Sequence, residues 1–129
     1  MKKISVIGLF LIVLFWSFIA SAQVSRIYEK ITPGNTITGF TSANIAPTTG
    51  ILAGKRAIKA TVYVKTNAIN YDTTGSITIT QSGGTDVGMY AASGTTIIIT
   101  GFHDIETFRC IDATAGSASD LRVTYFFDN

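Results

Sequence analysis

From residue 57 to residue 127 the chain repeatedly alternates hydrophobic and polar positions. Period two puts successive side chains on opposite faces of a β-strand. In Ala57–Lys65, Ile58, Ala60, Val62 and Val64 fall on one face, and Lys59, Thr61, Tyr63 and Lys65 on the other. Ser76–Thr80 repeats the pattern with Ile77 and Ile79 inward. Near the end, Leu121, Val123, Tyr125 and Phe127 share one side, and Arg122, Thr124 and Phe126 take the other. Thr95–Thr100 is instead a continuous apolar run around Ile97, Ile98 and Ile99, which predicts a strand covered on both faces. Helix formers nowhere accumulate at a spacing of 3.6.

Turn signals separate these runs: Pro33-Gly34-Asn35, Pro47-Thr48-Thr49-Gly50, Asp72-Thr73-Thr74-Gly75, Ser82-Gly83-Gly84-Thr85, Ala92-Ser93-Gly94 and Ala115-Gly116-Ser117. They delimit strands near 24–31, 36–41, 57–66, 68–71, 76–81, 87–91, 95–101, 105–112 and 120–127, with the fourth able to continue the third. Short strands at this spacing, without helices, predict an all-β fold: an antiparallel β-sandwich or jelly roll of about seven or eight strands. The expected core is Ile58, Val62, Val64, Ile77, Ile79, Ile97, Ile99, Phe108, Val123 and Tyr125. Gly39 and the Ser/Ala/Pro-rich stretch 41–49 give the first strands a second reading, as a mobile arm.

The N-terminus follows a different rule. Lys2 and Lys3 precede an apolar run from Ile4 to Ile19, and Ala20-Ser21-Ala22 is a small-x-small cleavage site. This is the pattern of a secretory signal peptide, a cleavable helix over 1–22. It predicts Gln23 as the first residue after cleavage and a secreted, periplasmic, cell-surface or virion location. A retained anchor is the alternative, with the membrane touched only through the leader. The expected organisation is a leader over 1–22, an N-terminal arm with the first strands over 23–56, and a β-sandwich core over 57–129.

The leader also changes the charge balance. The whole chain holds 10 basic and 8 acidic residues, and Lys2 and Lys3 leave eight basic residues behind. A formally neutral remainder gives no overall electrostatic footprint for nucleic acid and little repulsion between copies. Cys110 is the single cysteine, so no intrachain disulfide forms, and its apolar surroundings predict a buried small hydrophobe.

Catalytic chemistry finds little support. Nucleophilic catalysis needs a base beside the nucleophile. The single imidazole, His103, lies in Phe102-His103-Asp104, a segment that reads as an exposed turn between strands. One His and one Cys do not make a zinc site. Asp104, Glu106 and Asp112 offer oxygen ligands for calcium, but in no loop spacing that binds it. The sequence therefore predicts no enzyme, no cofactor and no metal. Tyr28, Tyr63, Tyr71, Tyr90 and Phe126 fall at outward or strand-end positions, where aromatic rings stack on sugars or pack against a neighbouring subunit.

Residues 60–127 carry a further pattern: Thr61-Val62-Tyr63-Val64-Lys65-Thr66, Ala68-Ile69-Asn70-Tyr71, Gly84-Thr85-Asp86-Val87-Gly88, a β-run ending at Gly101, Ile105-Glu106-Thr107-Phe108-Arg109-Cys110-Ile111, and Leu121-Arg122-Val123-Thr124-Tyr125-Phe126. This order resembles a group of small phage virion proteins associated with capsids, necks or tails. The resemblance implies a short β-sandwich that assembles without enzymatic activity. The expectation is an exported structural or assembly subunit, virion-associated or on a cell surface, that forms a homo-oligomer and binds no nucleic acid. Phe126, Arg122 and Tyr63 are its expected interface residues. The alternative is a secreted binding module for a glycan or another surface ligand.

Overall fold

The computed structural model describes residues 25–76, 79–81 and 88–128. The leader over 1–22, Ile77, and residues 84–87 of the Gly-Thr-Asp-x-Gly stretch lie outside them. The described chain is mostly β. Its strands are β1 (Arg26–Ile31), β2 (Thr38–Gly39), β3 (Ala57–Thr66), β4 (Ile69–Asp72), β5 (Met89–Ala91), β6 (Thr96–Thr100), β7 (Arg109–Asp112) and β8 (Asp120–Phe127). Two short helices interrupt them, α1 (Ser42–Ile45) and α2 (Phe102–Thr107), with a 3-10 turn over Gly50–Leu52.

The strands form two four-stranded sheets, ordered β1-β8-β3-β6 and β2-β7-β4-β5, with antiparallel pairing throughout. The pairing is nested. β4 pairs with β5, β3 with β6, β2 with β7, and β1 with β8. The chain thus behaves as one long hairpin folded over on itself, and both sheets pack on one core. Ala60, Val62, Val64, Ile97, Ile99, Leu121, Val123, Tyr125 and Phe127 enter it from the first sheet, and Ile69, Ala91 and Cys110 from the second. Val62 and Val123 are register partners at its centre, both essentially inaccessible.

The segment 26–56 belongs to the same body. β1 and β2 complete the two sheets, and Ile45, Pro47 and Leu52 are buried. Phe40 stacks on Phe108 with ring centroids 4.2 Å apart and meets Tyr125 edge-on at 5.3 Å. The stretch 41–49, with the mobile-arm reading, instead holds α1 against β1 and α2.

Three local expectations are corrected. Ile58 is 49% exposed and Ala57 takes its place in the core, because a register shift between Ala57 and Lys59 reverses the facing of that residue. The Ile97–Ile99 run is covered on one face only. β6 is a sheet edge, Ile97 and Ile99 are buried, and Ile98 is 62% exposed. The strand expected over 105–112 begins at Arg109, because residues 102–107 coil into α2. Gly101 at φ 90° turns the chain out of β6, and Phe102 and Ile105 then face the core three residues apart.

The two sheets differ in what covers their outer faces. On the second, Asn70 and Ile111 are register partners, as are Asp72 and Arg109, and Asn70, Ile111 and Asp72 are all buried although they point away from the core. Thr80 accepts a hydrogen bond from Asn70 Nδ2 at 2.7 Å, and Ile79 is 2% exposed. Ile79 and Thr80 therefore lie over the outer face of this sheet. The first sheet has no such cover from the described residues.

Candidate functional site

The uncovered outer face of the first sheet collects the expected interface residues. Tyr63 and Arg122 are register partners on β3 and β8, and Lys30 on β1 pairs with Arg122 from the other side. The next row is Tyr28, Thr124, Thr61 and Ile98. The third is Arg26, Phe126, Lys59 and Thr100. Strand alternation alone puts these residues on one plane, because each lies an even number of positions from the next along its strand.

Charge is segregated onto this plane. Arg26, Lys30, Lys59, Lys65 and Arg122 all point outward from the first sheet, against the single outward carboxylate of Asp120; the other acid of these strands, Glu29, faces Tyr125. Asp120 Oδ2 lies 2.9 Å from Arg122, 3.8 Å from Lys65 and 3.9 Å from Lys30. One carboxylate holding three solvent-exposed cations leaves their corner of the face positive. At the opposite corner the ring of Phe126 lies between Arg26, 5.1 Å from its centroid, and Lys59, 5.4 Å away. Phe126 is accordingly half-buried, an aromatic platform sheathed by cations rather than a bare apolar contact.

Tyr28 and Tyr63 stand open to solvent, 70% and 43% exposed. Strand spacings of ~4.8 Å and ~3.4 Å per residue put them about 12 Å apart across the diagonal. Thr61 and Thr124 lie between them in register, and Thr96 and Thr100 flank Ile98 on the edge strand. The other expected aromatics go elsewhere. Tyr90 is 67% exposed on β5 of the second sheet. Tyr71 turns inward and packs near Phe108, with centroids 6.1 Å apart.

The acidic and nucleophilic side chains are dispersed. Asp104 and Glu106 are exposed on α2, whereas Asp112 is fully buried on β7 and accepts a hydrogen bond from Ser119 N at 3.2 Å. No group of three metal-ligating side chains occurs among the described residues. His103 is exposed on α2, not in a turn, and its backbone carbonyl accepts from Thr107 Oγ1 at 2.7 Å. Asp72 is locked in a structural role. Its Oδ1 accepts from Thr74 N and Thr74 Oγ1, and its Oδ2 pairs with Arg109 at 2.9 Å. Cys110 is buried with its thiol donating to Thr38 O at 3.4 Å, and burial raises its pKa to about 12. An open cleft of about 420 Å³ between Pro47 and Arg56 is lined by groups already engaged. Lys55 donates to Asp128 O at 2.9 Å, and Arg56 lies over the Phe102 ring at 4.8 Å.

Comparison with family models, curated proteins and solved structures gives no match for this chain. Among the described residues no helix is long and apolar enough to cross a membrane.

Proposed function

We propose that this chain is an exported, non-catalytic contact protein: a structural or assembly subunit, at a cell surface or on a virion, that docks through the outer face of its first sheet. The observation that carries the reading is the asymmetry of the two sheets. One outer face is covered by the chain's own 79–81 segment, while no described residue covers the other, which carries Tyr28, Tyr63, Phe126 and Arg122. A protein folding for stability alone has no use for a bare, aromatic, basic plane of this kind. The nested strand order supports a jelly-roll form of the β-sandwich.

Self-association belongs to the edges of the sheets rather than to this plane. Two copies meeting face to face would bring like charges together. β6 is an edge strand without charge or proline, with Ile98 exposed on it, and such an edge invites another strand. Sedimentation velocity at tens of micromolar should therefore show an oligomer that Ile98→Lys dissociates and Phe126→Ser leaves intact. A monomer at that concentration contradicts the assembly reading and favours the second one, a secreted module binding a surface ligand through the same plane. The open rings of Tyr28 and Tyr63 favour that second reading.

A further inference from the structure

We infer that the outer face of the first sheet binds an acidic polysaccharide, a linear glycan carrying carboxylate or sulfate groups along its length. This rests on the reading of that face as the docking surface and names its partner.

The first argument is charge complementarity. Arg26, Lys30, Lys59, Lys65 and Arg122 present five cations from three adjacent strands, with Asp120 as the one acid that shares their outward side. The chain outside the leader is formally neutral, and most of the other described acids are placed away from this face. Asp72 and Asp112 are buried, Glu29 points inward to Tyr125, and Asp104 and Glu106 lie on α2. A positive plane of this size attracts a polyanion and repels a second copy of itself.

The second argument selects among polyanions. Single-stranded nucleic acid binds by stacking successive bases on exposed aromatic faces. Here Phe126 is sheathed by Arg26 and Lys59. The two open rings, Tyr28 and Tyr63, are on strands separated by β8, with Thr61 and Thr124 between them. Bases on consecutive nucleotides do not meet two rings about 12 Å apart on this strand spacing. A glycan fits better. Its flat ring faces pack on isolated tyrosines, its hydroxyls pair with the threonine hydroxyls between them, and its anionic groups meet the cations at both corners.

The test is binding of the purified protein to dextran sulfate and polyguluronate, with neutral dextran and a twenty-nucleotide oligothymidylate alongside, at low and physiological salt. Both acidic polysaccharides should bind, weakening as salt rises, and dextran should not. Tyr28→Ala, Tyr63→Ala and Arg122→Gln should each weaken binding at least tenfold with thermal unfolding midpoints unchanged. Lys55→Gln, a cation off the face, should leave it as it was. Equal binding of dextran overturns the acidic requirement. Oligothymidylate binding tenfold tighter than either polysaccharide overturns the glycan in favour of nucleic acid. If no polymer binds but Tyr63→Ala and Arg122→Gln change the oligomeric state, the polysaccharide is wrong, and so is the placing of self-association on the β6 edge. If these variants change neither, both readings fall.

Discussion

The Tyr125 hydroxyl donates a hydrogen bond to the Glu29 carboxylate from a ring that is itself fully buried. Glu29 also accepts from the hydroxyl of Thr41, just ahead of α1. One carboxylate therefore ties the edge strand β1 to the central strand β8 and to the start of α1. Tyr125→Phe should remove about 2 kcal/mol, the scale of a hydrogen bond to a charged partner. Thr41→Val should cost less, because Thr41 is exposed and Glu29 keeps Tyr125. Urea unfolding of both variants measures the difference, and equal losses would contradict it.

Stability should fall in alkali. Burial, reinforced by Asp112, raises the Cys110 thiol from 9.0 to about 12. Burial, then the hydrogen bond and charge of Glu29, push Tyr125 above its ordinary 10.0. In both cases the folded chain keeps a proton that the unfolded chain releases. The stabilisation is complete below pH 9, the unfolded thiol value, and is lost progressively as pH rises towards 12, with Tyr125 adding to the slope above 10. Each group contributes at most about 1.4 kcal/mol per pH unit. Urea midpoints from pH 7 to 11 should decline above 9, and Cys110→Ala should delay the decline. A level wild-type profile would contradict the account.

Gly88 should tolerate no side chain. Its φ is +73°, and a Cβ there would lie 2.6 Å from Ile79 Cγ2 and 2.7 Å from the Tyr71 carbonyl oxygen. The first neighbour can move, but the second is backbone. Gly88→Ala should cost about 3 kcal/mol from the left-handed conformation and the overlap together. Adding Ile79→Val should not restore it. Thermal unfolding of the single and double variants checks both statements.

Asp72 has no exposure, and it pairs with Arg109, 2.9 Å away and its register partner across β4 and β7. Arg109→Met should cost about 3 kcal/mol by taking the cation away from a buried carboxylate that keeps its bonds from Thr74. The double variant Asp72→Asn with Arg109→Met should lose less than Arg109→Met alone. A larger loss in the double variant would show that the pair is not what holds Asp72.

Much of the first sheet was legible along the chain. Leu121, Val123, Tyr125 and Phe127 face the core as their alternation requires, and Tyr63, Arg122 and Phe126 share the opposite plane. Ile58 misled because a bulge adds one residue to the count, and no residue type announces a bulge of this sort. Ile98 misled because an apolar run reads alike for a covered strand and an edge strand. α2 was hidden by its length, since six residues give less than two turns of periodicity. The positive face was missed by averaging. Formal neutrality is a sum over the chain outside the leader, whereas Lys59, Lys65 and Arg122 sit at alternate positions that the strand pattern already puts on one side. Which outer face is covered depends on where Ile79 and Thr80 pack, and no local signal carries that.

The central claim is that the outer face of the first sheet is the working surface of the protein. Hydroxyl-radical footprinting tests it most directly, comparing the purified free protein with the same protein in the presence of dextran sulfate. Tyr28 and Tyr63 are both exposed on the first sheet, and Tyr90, 67% exposed on the second, serves as the internal reference. The account predicts that Tyr28 and Tyr63 become protected while Tyr90 oxidises at its free rate. Protection of Tyr90 with Tyr28 and Tyr63 unchanged would contradict it.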